Sequence, residues 1–120
     1  MKKTVILAFA AALALPALAS AEAPAPDPRA KRAYRAKCAS CHGEDGKGNT
    51  EQAKTKFPGL RDISSPEVQK EFTDDQLKEW INKGLIKKKD GKERKMPAVP
   101  EITGEQLDNL VRLVRGLAAK

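Results

Sequence analysis

Histidine occurs once in this 120-residue chain, cysteine twice and methionine twice, and aromatics make up 4% of it. Each scarcity closes off a class of site. A structural zinc centre takes about four Cys or His ligands, and Cys38, Cys41 and His42 are all that the chain offers. Two cysteines allow one disulfide at most, and a bridge between Cys38 and Cys41 closes a loop too short to constrain much of the unfolded chain. Beyond Phe9 the aromatics are Tyr34, Phe57, Phe72 and Trp80, too few to fill the core of a small domain unaided. No apolar run reaches the roughly 20 residues that cross a bilayer, because the longest, from Val5 to Leu15, stops at Pro16.

That leading run reads as an address. Met1-Lys2-Lys3 is a short positive start, the Ala/Leu run follows, and Ala19-Ser20-Ala21 has the small-residue pattern that a signal peptidase cuts. Residues 1–21 are therefore expected to be a cleaved signal peptide, with Ala19 as the second possible cut. Export to the periplasm follows, with no transmembrane segment left after cleavage. The Pro/Ala segment 22–27 is expected to be an extended linker, and residues 28–120 the one domain. Loss of Lys2 and Lys3 takes the 23 basic residues to 21 against 16 acids, a net of +5. Outside the cytoplasm nucleic acid is not an expected partner, so this excess is read as steering toward an acidic protein surface or a membrane face.

The domain reads as all-α. Asp27 suits a helix cap and Pro28 a first turn, and Ala30, Ala33 and Tyr34 recur at helical spacing up to Cys38. A second helix is expected from a capping box at Thr73 and Gln76, with Leu77, Trp80, Ile81 and Leu85 on one face and its end at Gly84 or in the stretch after it. Asp90-Gly91 signals a turn. A third helix is expected from a box at Thr103 and Gln106, through Leu107, Leu110, Val111, Val114 and Leu117. No strand of comparable quality appears, residues 43–60 read as a glycine-rich loop, and 61–72 carry no clear motif.

Both cysteines and the histidine sit in Lys37-Cys38-Ala39-Ser40-Cys41-His42-Gly43. Cys-x-x-Cys-His is the spacing of covalent c-type haem attachment. Two thiols one turn apart reach the two vinyl groups of the porphyrin, and the next residue carries an imidazole to the iron. A thioredoxin-like pair uses the same thiols but needs a cysteine at a helix N-terminus, whereas here the pair follows a helix and enters a glycine loop. A second axial ligand must come from elsewhere. Once Met1 is removed, Met96 is the remaining methionine, and no second histidine exists. Met96 lies between Lys95 and Pro97, outside any amphipathic stripe. A gap-filling core methionine is the alternative. His42/Met96 coordination fills both axial positions of the iron and suits outer-sphere electron transfer.

These residues resemble the class I c-type cytochromes, and among them the small bacterial exported members. The resemblance runs over most of the mature chain: Tyr34, the Cys38–Gly43 run with Glu44-Asp45-Gly46-Lys47-Gly48, Phe57-Pro58-Gly59-Leu60, Ile81-Asn82-Lys83-Gly84, Met96-Pro97, and the helix ending Val111 to Leu117. It implies three or more helices wrapped around one covalently bound haem c, with the first and last helices crossing. It also implies thioether links at Cys38 and Cys41, and axial ligands His42 and Met96. The carbonyl of Pro58 is then expected to accept a hydrogen bond from the distal nitrogen of His42. Two departures stand out: Leu113 takes a position often aromatic in the family, and Gly116 is expected to loosen the end of the last helix. The implied role is an electron carrier and not an enzyme, its redox partners presenting acidic docking surfaces to Lys87, Lys88, Lys89, Lys92, Arg94 and Lys95. The alternative is a dedicated cytochrome subunit of a larger exported redox enzyme or oxidase. A haem enzyme would need a vacant or labile axial position.

Overall fold

Asp27 accepts a hydrogen bond from the Arg29 N–H at 2.7 Å and Pro28 fills the first turn, so α1 (Pro28–Lys37) begins where the sequence places it. The computed structural model describes residues 11–12, 25–89 and 92–119. Most of the expected signal segment, the first part of the linker and the Asp90-Gly91 turn lie outside the described residues.

The first helix delivers the cysteine motif at its C-terminal end, as expected, but the motif itself is not a continuation of α1. Cys38, at φ −120°, leaves helical geometry and caps α1, and a separate one-turn helix α2 (Ala39–His42) follows. The Cys38 carbonyl accepts from the N–H groups of Cys41 (3.2 Å) and His42 (2.9 Å), so the motif folds as its own hydrogen-bonded turn. Gly43 ends it at φ +78°, a conformation that costs a residue without Cβ little.

Two short helices occupy the stretches read as loop or left unassigned. In α3 (Glu51–Lys56) the Thr50 hydroxyl oxygen accepts from the Ala53 N–H at 3.0 Å and donates to the Cys41 carbonyl at 3.0 Å, which ties α3 to α2. In α4 (Pro66–Gln69) a proline again supplies the first position. The buried Gln69 amide donates to the carbonyls of Ile63 (2.8 Å) and Val114 (2.9 Å), fastening this segment to the last helix.

The capping box of α5 (Asp74–Lys83) forms in full, Thr73 and Gln76 each bonding the other's backbone N–H. The box expected for α6 (Gly104–Gly116) does not: Thr103 makes no side-chain cap bond. Gly104 stands at φ +57°, so the chain enters this helix through a left-handed residue and not through the extended-to-helical step that a box needs. At its far end α6 runs through Gly116 and tightens into a 3₁₀ turn, Leu117–Ala119.

The all-α reading holds for the elements that build the core, but the expectation of no strand does not. Leu85–Lys89 (β1) and Lys92–Met96 (β2) form an antiparallel hairpin in the register Leu85 to Met96 and Lys87 to Arg94. Leu85, expected on the apolar face of the second helix, starts β1 instead, because Gly84 at φ +78° ends α5 one residue earlier. Below the hairpin, α6 packs on α1 and α5. Tyr34, Leu77, Ile81, Leu107, Leu110, Val111 and Val114 meet there, Leu113 half-buried beside them. Leu110 is wholly enclosed.

Candidate cofactor-binding site

Residues far apart in the chain converge on one apolar cavity of about 220 Å³. Cys38, Cys41 and His42 reach it from the α1–α2 turn, Met96 and Pro97 from the end of β2, and Leu110 and Val114 from α6. Tyr34, Phe57, Phe72 and Trp80, the whole aromatic stock after residue 21, line it as well. Phe72 and Trp80 meet edge to face with ring centroids 5.4 Å apart.

The electrostatics follow from that burial. Nδ1 of His42 is buried and has no hydrogen-bond partner, and desolvation pulls the imidazole below its ordinary pKa, which favours the neutral form that binds a metal through one of its ring nitrogens. Burial, and secondarily the neighbouring Cys41, pushes the Cys38 thiol up to about 11. The two cysteines are not bridged. Among the described residues no group of three or more His, Cys, Asp or Glu side chains is placed to hold a metal ion.

Charge is confined to the rim. Arg61 grips Glu71 in a two-pronged ion pair, one arm 2.6 Å long, while the Lys87 ammonium lies over the Trp80 ring at 5.0 Å. Lys95, also on the rim, pairs with Glu93 at 2.8 Å. Of the basic run, Lys87, Lys88 and Lys95 are exposed; the side chains of Lys89, Lys92 and Arg94 lie outside the described set.

The structure thus brings Cys38, Cys41, His42 and Met96 to one cavity, but not Pro58. The bond expected from His42 to the Pro58 carbonyl is not made, since Nδ1 has no partner. The turn closed by the Leu60 N–H on the Phe57 carbonyl (3.0 Å) sends Phe57, Gly59 and Leu60 to the cavity and leaves Pro58 exposed. Sequence reasoning missed Ile63, Val68 and Phe72 as wall residues. They sit in the segment without periodicity, and their being apolar in a polar stretch was the one available signal.

Residues 28–118 match the family model described as Cytochrome c. Neither the search of curated proteins nor that of solved structures returns a match.

Proposed function

The chain belongs to the cytochrome c family, and from that premise we propose that it is a monohaem electron carrier whose iron is held between His42 and Met96. Membership brings with it covalently bound haem c and an electron-transfer role. The observation that carries the finer reading is the meeting of two unbridged thiols, a buried imidazole and a thioether on one apolar cavity. That donor set fits haem c: Cys38 and Cys41 tether the ring, and His42 and Met96 ligate the iron.

Bound haem supplies a reversible Fe(III)/Fe(II) couple. The chain's own residues set its conditions. The aromatic and aliphatic wall excludes water and lowers the local dielectric, which disfavours the extra charge of the oxidised centre. With His42 and Met96 both supplied by the chain as ligands, no coordination position would be left for a substrate, which suits electron transfer rather than bond-making. A class I, periplasmic carrier is the form of this reading that the leading segment supports. Among the described residues, no helix is long and apolar enough to cross a membrane. Acidic redox proteins are the partners that the exposed lysines of the hairpin suit.

Visible spectra of the protein exported alongside haem-maturation machinery test the proposal. Haem that stays with the polypeptide through acid-acetone extraction, and a sulfur-to-iron charge-transfer band that disappears in Met96→Ala, are the expected results. Haem extracted into the solvent, or a band that survives Met96→Ala, would overturn the assignment of the thiols or of Met96 respectively.

A further inference from the structure

We infer that Gly84 and Asn82, at the C-terminal end of α5, are positioning residues that hold Met96 in place; the inference rests on the reading of Met96 as an iron ligand. The hairpin cannot do this alone. Among the described residues the strand that ends in Met96 has one strand neighbour, β1, and a lone two-stranded hairpin is marginal in water. Met96 therefore needs an anchor outside its own sheet.

The end of α5 provides one by backbone contact. A Cβ at Gly84 would stand 2.7 Å from the Met96 carbonyl oxygen and 3.1 Å from the Ala98 nitrogen. No side chain fits there without moving one of two backbones, so the absence of a Cβ sets how closely Met96 approaches the helix. Just before it, the Ile81 carbonyl accepts from the Val99 N–H at 2.7 Å. The Asn82 amide donates to the carbonyls of Ile102 (2.6 Å) and, at longer range, Val99 (3.4 Å). Three residues of one helix end thus grip the chain on the C-terminal side of Met96, and the Leu85 to Met96 pairing holds it on the other.

Gly104 supplies an internal control. It has a similar positive φ, +57° against +78°, but a Cβ there would meet nothing within 4 Å. Alanine at either position carries backbone strain, heavier at 84, where ψ is 173°, and only alanine at 84 also collides with the Met96 segment. Asn82→Ala, which leaves the Gly84 backbone alone, is therefore read beside it. The test compares holoprotein carrying Gly84→Ala, Gly104→Ala, Asn82→Ala or Met96→Ala. The readouts are the sulfur-to-iron charge-transfer band and the rate at which cyanide takes the iron. Gly84→Ala should weaken the band and speed cyanide binding about tenfold or more, a factor of ten being worth about 1.4 kcal/mol. Gly104→Ala should match the parent, and Asn82→Ala should speed cyanide binding severalfold.

A parental band and rate in Gly84→Ala, or an equal change in Gly104→Ala, would overturn the inference. If Gly84→Ala yields no folded holoprotein, Asn82→Ala decides, and a parental band and rate there overturn it. Met96→Ala separates the two levels: a band that survives it removes the ligand reading and the anchor together. A band lost in Met96→Ala but untouched by the α5 variants removes the anchor alone.

Discussion

The Tyr34 hydroxyl donates to the Gly43 carbonyl at 2.7 Å, a bond that spans the whole turn from Cys38 to His42. One side chain from α1 thereby closes the far end of α2, and the thiols and imidazole are framed between the two residues. The ring is buried, and desolvation raises the phenol well above its ordinary pKa, so it stays a donor.

Tyr34→Phe should lower the stability of the holoprotein by about 1 kcal/mol, since the Gly43 carbonyl loses its buried donor. In a domain of this size that is roughly 4–8 °C in Tm. The pH dependence has a definite sign. A phenol that ionises in the unfolded chain near its ordinary value of 10.0 but later in the folded one favours unfolding as pH rises past that value. The gap between parent and Tyr34→Phe should therefore be widest below pH 10 and shrink above it. Thermal unfolding across pH 8 to about 11 checks this, and a constant gap would mean that the hydroxyl is not buried as described.

Gln69 makes a second, longer link, from the segment 61–72 to the Val114 carbonyl of α6. Gln69→Met keeps the volume but leaves the Ile63 and Val114 carbonyls without this donor. A buried acceptor left unmet costs about 1–3 kcal/mol, so this variant should lose about 2 kcal/mol or more in denaturant unfolding. Arg115, which donates to the Gln69 and Phe72 carbonyls and pairs with Asp74, still pins the segment. The change should therefore weaken the fold without abolishing it.

The contrast between Gln69 and Thr73 shows where the sequence was legible. A capping box is a local contract between residues three apart, so Thr73 and Gln76 are readable from type and spacing. Gln69 acts at 45 residues' distance, and no local pattern marks a polar side chain that finds its carbonyls only after folding. The hairpin was unreadable for another reason: its strands are built largely of lysine, glutamate and arginine, which have weak strand preference. Leu85 also happens to continue the helical period of Leu77 and Ile81. The Asp90-Gly91 pair was the visible sign, being a strong hairpin dipeptide, though without the flanking apolar alternation. That Cys38, Cys41 and His42 share one cavity wall follows from their adjacency in the chain, whereas Met96, 54 residues further on, joins them only through the fold. The wall residues were not legible, since a cavity is a property of the assembled helices.

The two thiols should differ in the chain before haem is attached. Cys38 is held up near 11 by burial, and the thiolate is the reactive form. At pH 8 the fall in Cys38 thiolate relative to a thiol at its ordinary value of 9.0 is on the order of a hundredfold, part of it offset by the higher nucleophilicity of the more basic thiolate. Iodoacetamide labelling followed by peptide mass analysis should find Cys38 modified far more slowly than Cys41, with the difference vanishing in denaturant. Equal rates in the absence of denaturant would show that the thiol is open to solvent.

The last prediction concerns the hairpin surface. Lys88 is exposed, whereas Lys87 lies over Trp80 and Lys95 pairs with Glu93, so Lys88 is the residue to change without disturbing the cavity rim. If an acidic partner docks here, charge steers the encounter, and the rate constant for electron exchange should fall as salt rises. Screening reaches a Debye length of about 10 Å at 0.1 M, so most of that fall should occur below this concentration. Lys88→Glu should slow the reaction severalfold at low salt and flatten the salt dependence, because reversing one charge removes two units of attraction. Exchange with a small uncharged oxidant should be unaltered, which separates docking from any effect on the iron. Stopped-flow rates with an acidic redox protein from 10 mM to about 0.5 M salt measure both quantities. A salt dependence that Lys88→Glu leaves untouched would place the docking face elsewhere on the molecule.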